Sequence, residues 1–220
     1  MCEKLISINK LSAGTKNYQI LHNISFDINA CEIVCLLGSS GSGKTMTALS
    51  ILNMLPLNVT QTSGSILYNN KPFNENICGT FISMIMQAPA SCFDSVFTIG
   101  TQFKDILISN HKEYSINRVY TMLEKVELHN PQDILNSYPF QLSGGMLQRV
   151  MIAIALSLDS KVIIADEPTS DLDVAGQKEI IDLILKLKKE NKSVLMITHN
   201  LAVAKSCADK IAVMEHGRLV

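Results

Sequence analysis

Residues 24–29, ISFDIN, alternate apolar and polar side chains, with Ile24, Phe26 and Ile28 on one face and Ser25, Asp27 and Asn29 on the other. That period of two predicts an antiparallel strand covered on one side. Residues 5–11, LISINKL, repeat the pattern more loosely. Four further runs are unbroken: IVCLL (33–37), VIIA (162–165), VLMIT (194–198) and IAVM (211–214). Such runs suit parallel strands with helices on both faces. The predicted fold class is therefore α/β, with a mostly parallel sheet and a separate antiparallel β subdomain.

Helical spacing marks residues 99–109, 115–126 and 144–158, the last through Leu147, Val150, Met151, Ile154 and Leu158. No apolar strand-like run separates these three, so they read as a helical insertion that splits the sheet domain. The predicted division is a core of residues 1–88 and 160–220, with a helical subdomain at 89–159. A further helix is predicted over 173–190, where Ile180, Ile181, Ile184 and Leu185 precede a basic KLKKE end that suits a helix C-terminus.

Composition narrows the range of functions. At 220 residues the chain can bury one substantial core without oligomerising to fold. Nineteen basic and 20 acidic residues give a net charge of −1, well mixed, which leaves no electrostatic footprint for nucleic acid. Residues 45–70 carry no charge, but Asn53, Pro56, Asn58, Gln61 and Gly64 interrupt them, and no apolar run reaches the length of a membrane span. The opening MCEKLISINK lacks the basic segment and apolar core of a secretory signal, so a cytoplasmic location is expected. The six cysteines form no CxxC pair and read as reduced, small apolar residues. Hydrophobic residues make up 47% of the chain and mean hydropathy is +0.20, which suggests apolar surface reserved for a partner.

Chemistry first appears at GSSGSGKT: Gly38, Ser39, Ser40, Gly41, Ser42, Gly43, Lys44 and Thr45, followed by Met46. The segment follows the buried run 33–37 and precedes the helix-like MTALSILNML, the strand–loop–helix context of a phosphate-binding P-loop. Gly41 and Gly43 let successive N–H groups turn inward, beside the helix N-terminus. Lys44 is expected to reach the β- and γ-phosphates of a nucleotide, and Thr45 to ligate Mg²⁺. A P-loop alone leaves kinases, GTPases and ATPases open. Asp166 ends the run 162–165, where a carboxylate would stand beside the nucleotide and help to hold Mg²⁺; Glu167 follows it as a candidate base for the attacking water. An internal base favours a hydrolase over a kinase.

LSGGMLQR (142–149), together with GSSGSGKT, VIIADEP, SDLD and ITHNL in this order, resembles the ATP-binding cassette (ABC) ATPases along nearly the whole chain. The resemblance implies head-to-tail pairing of two cassettes, so that Ser143, Gly144, Gly145 and Gln148 would face ATP held by the partner's P-loop. It implies that Gln87 is the Q-loop glutamine near Mg²⁺ and the attacking water, that His199 bonds the γ-phosphate, and that Asp171 and Asp173 form a D-loop crossing to the partner. Departures accompany it. Tyr18 is the aromatic available near the expected adenine-stacking position, Cys31 stands where glycine is usual, and Asp171 where alanine is common. The sequence ends at Val220, where relatives usually continue with further helices.

YPFQLSGGMLQRVMIAIAL, IMQAPASCFDSVFTIGTQF and IIADEPTSDLD resemble the dipeptide, oligopeptide and nickel importer group, and LPLNVTQTSG with SDLD resembles its D-type nickel subunits. The resemblance implies an ATPase at the cytoplasmic face of the membrane, powering uptake of nickel, a metal chelate or short peptides. Its expected partners are a second ABC ATPase subunit (a paralogue or a copy of itself), two membrane permease subunits and, indirectly, a substrate-binding protein. The alternatives are a soluble ABC ATPase acting on nucleic acid or protein complexes, disfavoured by the neutral charge, and a nucleotide-binding regulator that barely hydrolyses.

Overall fold

The computed structural model describes residues 3–74, 77–170 and 172–220. In chain order the strands are β1 (Lys4–Gly14), β2 (Gln19–Asn29), β3 (Ile33–Leu37), β4 (Thr60–Tyr68), β5 (Ile82–Ile85), β6 (Val162–Asp166), β7 (Ser193–Thr198), β8 (Lys210–Glu215) and β9 (Arg218–Leu219). The helices are α1 (Lys44–Ile51), α2 (Pro89–Cys92), α3 (Ile99–Ser109), α4 (Ile116–Lys125), α5 (Pro131–Asn136), α6 (Gly144–Ser157), α7 (Val174–Lys189) and α8 (Leu201–Cys207). Helices α2 to α6 occupy the chain between β5 and β6.

The alternating segments pair as an antiparallel sheet in the order β2-β1-β4. The register slips from Leu11↔Ile24 to Ala13↔Leu21, beside Asn23 at φ 54. This bulge buries both Leu21 and Ile24, which a strict period of two would have separated. The sequence pattern does not reveal β4: its first six residues are exposed, as an edge strand tolerates, and Gly64 breaks the alternation at φ 85.

The second sheet runs β5-β6-β7-β3-β8-β9, parallel except for the final β8/β9 pair. All of β6 and β7 is buried, which explains their unbroken apolar runs. Alternate residues serve opposite faces: Cys35, Ile163 and Val194 join the cluster beneath α3, α4, α6 and α7, whereas Leu36, Ile164 and Leu195 face α1 and the antiparallel sheet. Burial of that many aliphatic side chains, at roughly 1.5–3 kcal/mol each, is the main force fixing strand order.

Helix limits follow local chemistry. The run MTALSILNML predicts a helix to residue 55, but α1 stops at Ile51 and Asn53 adopts φ 55. Helix α6 is tied to its neighbours by Arg149, whose guanidinium donates to the Val126 carbonyl at 2.6 Å and to Glu179 at 2.5 Å. The α6 N-terminus is thereby held in a fixed orientation.

Candidate nucleotide site

Parallel strands bring their carboxyl ends to one edge of a sheet, and the register shows which ends meet. Leu37 pairs with Thr198, and Asp166 with Ile197. The loops after β3, β6 and β7, which carry the P-loop, Asp166–Glu167 and His199, therefore emerge side by side, where an α/β sheet binds ligands. A cleft of about 260 Å³ lies there, lined by Ser40, Gly41, Gly43, Lys44, Thr45, Met46, Gln87 and Glu167, with Ile20 on its wall.

Two glycines of the loop are required by close approach. A Cβ at Gly38 would lie 2.4 Å from the Met214 carbonyl oxygen, and Gly43, at φ 104, would press a Cβ to 2.8 Å from Leu21. Ser39 and Ser40 are exposed at the loop tip, whereas Ser42 is buried with its hydroxyl lacking a partner among the described residues. Lys44 is 5% exposed, and its ammonium donates to the carbonyls of Gly38 at 2.9 Å and Ser39 at 2.8 Å. An ammonium has three N–H donors, so one is left for a phosphate. With the N–H groups of α1's first turn, it makes the loop an anion cradle.

Asp166 is 4% exposed, its Oδ1 has no hydrogen-bond partner among the described residues, and the Thr45 hydroxyl neighbours its carboxylate. Burial pushes its carboxyl above the ordinary aspartate value; the Thr45 hydroxyl and the Lys44 charge pull the other way, and the neighbouring Glu167 charge adds to the rise. An orphaned, buried carboxylate oxygen next to a hydroxyl is a hard-oxygen donor set that a divalent cation satisfies, so the residues fit Mg²⁺. Glu167 adopts φ 46, outside ordinary strand geometry, and its Oε2 lies 2.7 Å from Nδ1 of His199. The bent backbone turns the glutamate out of the sheet and into the cleft, as functional strain often does.

The signature segment begins α6. Ser143 is its N-cap, accepting from the Met146 N–H at 3.3 Å. Ser143 and Gly144 are exposed, and a Cβ on Gly144 would meet nothing within 4 Å. Gln148 differs: it is 3% exposed, its Nε2 lacks a partner among the described residues, and it lines a second cleft with Gln87, Pro89, Gly144 and Glu167. That amide faces this chain's own Gln87 loop, whereas the sequence reading grouped it with the outward-facing residues. Asp173 caps α7, accepting from the Gly176 N–H at 2.9 Å. Asp171 lies outside the described residues. Tyr18 is 71% exposed, held by the Thr15 turn, and is not among the residues lining the nucleotide cleft. Ile20 takes the wall instead, half-buried against the edge of the core; the Asn23 bulge shifts its phase relative to Ile24, a placement the alternation alone does not predict.

Comparisons with known proteins agree with this geometry. Residues 21–170 match the ABC transporter family. The oligopeptide transport ATP-binding protein OppD of Lactococcus lactis subsp. cremoris (strain SK11) is 40% identical over 229 residues, covering 99% of this chain and 67% of that protein. The nickel import ATP-binding protein NikD of Pseudomonas putida is 35% identical over 224 residues, covering all of this chain and 88% of that protein. Among solved structures, a dimeric post-hydrolysis ATP-binding cassette bound to ADP and Pi superposes with a TM-score of 0.83 at 26% identity, over 98% of this chain and 96% of that one. With a phosphate cradle, an acid pair and the family's sequence running together through one sheet edge, the chain belongs to the ABC transporter family and is one of its ATP-binding, ATP-hydrolysing cassettes.

Proposed function

We propose that this cassette powers a bacterial importer of short peptides or of nickel and its chelates, working as one of two ATPase subunits docked on two permeases at the cytoplasmic membrane face. The observation that carries the reading is the meeting of Lys44, Asp166 and Glu167 at one sheet edge, in a chain that aligns end to end with importer ATPases. Peptide and nickel relatives are similar at 40% and 35% identity, so identity does not separate the two cargo classes. A substrate-binding protein would present cargo to the permeases without touching this chain.

In this reading the backbone amides from Ser39 to Thr45 hold the triphosphate, and Lys44 turns its remaining donor onto the β- and γ-phosphates. Thr45, Gln87 and Asp166 would hold Mg²⁺, which when bound offsets phosphate charge. Glu167 takes a proton from the attacking water, while His199 keeps that carboxylate oriented until the γ-phosphate arrives. Ile20 and Met46 supply the aliphatic side of the site.

The other half of the machinery lies on the helical segment 89–159, which acts as a lobe attached to the core of 1–88 and 160–220. Ser143, Gly144 and Gly145 close over the partner's γ-phosphate, with Gln148 linking their helix to the Gln87 loop, and Asp173 lies along the same boundary. An apolar groove of about 480 Å³ beside Gln87, lined by Met54, Met84, Met86, Phe93 and Ile106, supports permease docking there. Reconstitution with the permeases and binding protein tests the proposal: ATP-dependent uptake of peptide or nickel is expected. ATPase activity unchanged by the permeases, with no uptake of either cargo, would refute it.

A further inference from the structure

Helix α6 presents its first turns to two different surroundings. Ser143 is exposed at the helix start, whereas Gln148, one turn on from Gly144, is 3% exposed. The Gln148 Nε2 has no partner among the described residues, and the side chain lines a cleft of about 140 Å³. Gln87 and Glu167 line both this cleft and the nucleotide cleft, so the two side chains form the wall between them. The rest of the lining offers the amide little: Pro89, Pro168 and Leu172 have no side-chain acceptor, and the Ser170 hydroxyl is turned to the Glu167 carbonyl at 3.1 Å. A buried donor left without an acceptor is costly. A cleft of this size, with an amide on one side and a carboxylate on another, has the room and the polarity to seat an ordered water.

We propose that Gln148 is a positioning residue for hydrolysis in its own chain's site: through a water held in the second cleft, its amide fixes Glu167 and Gln87 at the wall of the nucleotide cleft. The water accepts from the Gln148 Nε2–H and donates to the Glu167 carboxylate, whose Oε2 is already 2.7 Å from His199 Nδ1. Two contacts from different elements, the loop after β7 and helix α6, then set the direction of the base. The inference rests on Glu167 as that base and on the head-to-tail pairing proposed above, but it moves Gln148 from the partner's nucleotide to this chain's own. One helix thereby serves two sites. Ser143 meets the partner's phosphate while Gln148 orients the base at home, so a shift of α6 as the pair closes reaches both.

Gln148→Met keeps the side-chain length and removes the donor. Two pairs, each with one working site, decide where it acts, whether the second cassette is a copy or a paralogue. In the first, this chain carries Gln148→Met and the mate's own base is replaced by glutamine; kcat should fall about tenfold or more, since misplacing a reacting group by an ångström costs up to about a hundredfold, with KM for ATP within twofold. In the second, this chain carries Gln148→Met together with Glu167→Gln and the mate is intact; turnover should stay within twofold of the same pair with Gln148 restored. Methionine leaves no orphaned amide, so the thermal melt should hold or rise. A lower melt with unchanged turnover in the first pair would reduce Gln148 to packing and overturn the proposal. A fall confined to the second pair would return the residue to the partner's nucleotide. Absence of any ATP-dependent pair in the parent refutes the pairing itself, and the inference with it.

Discussion

Replacing Glu167 by glutamine separates chemistry from binding. The side chains have the same length and Cβ, so the cost of φ 46 is common to both and cancels. The glutamine oxygen can still accept from His199 Nδ1, now 2.7 Å from the carboxylate, so a charge-assisted bond becomes a neutral one. His199 is 59% exposed on its side chain, and solvent screening keeps the resulting stability change below about 1 kcal/mol. Removing a negative charge beside buried Asp166 holds or improves affinity for a polyanionic nucleotide. Loss of the base, by contrast, should cost about 10²–10⁴ in turnover, the usual worth of general base catalysis. Phosphate release measures turnover, nucleotide titration measures binding, and sedimentation follows the ATP-trapped dimer. Turnover within threefold of the parent would refute Glu167 as the base; loss of ATP binding would refute the separation of roles.

Ser143→Arg removes the α6 N-cap, costing about 1 kcal/mol of stability, and blocks the exposed helix start; hydrolysis at the partner's site should fall more than tenfold while titration finds this chain's own ATP affinity within threefold. Cys31 sits at φ 57 in the turn between β2 and β3, so Cys31→Gly should raise the urea-unfolding free energy by about 0.5–1 kcal/mol, and an unchanged midpoint would show that the turn carries no such strain. Hydrogen bonds from Lys192 and Lys186 hold the carboxyls of Asp159 and Glu127 below their ordinary values of 3.8 and 4.5. Their contribution is present above those values and lost as pH falls through the lower folded ones. Thermal melts of Asp159→Asn and Glu127→Gln should therefore lie below the parent at neutral pH and converge with it once pH has fallen through the lowered folded values; a gap that persists in acid would assign the loss to packing.

Local patterns settled much of this protein before any fold was seen. Unbroken runs marked β3, β6 and β7 because a strand covered on both faces has no polar phase to show; the run at 211–214 also forms a strand, β8, but Ile211 and Val213 are exposed there, so the expected cover on both faces is absent from it. GSSGSGKT announced a phosphate cradle because glycine freedom, a lysine and a helix start must be contiguous to do that work. The polar edge strand β4 escaped because hydrogen bonding to β1, not burial, holds it in place. Short α8 spans seven residues, too few for a periodicity to emerge. Ile20 reached the cleft wall through a bulge, and Gln148 turned inward though its motif suggested otherwise, because both placements depend on how one element packs against another. Which chemical groups the chain carries was thus written in its residues, since each motif is a short-range requirement. Which of them meet was decided by strand order: parallel pairing of β6, β7 and β3 set Lys44, Asp166, Glu167 and His199 around one cleft, and only long-range burial of the sheet's two faces fixes that order.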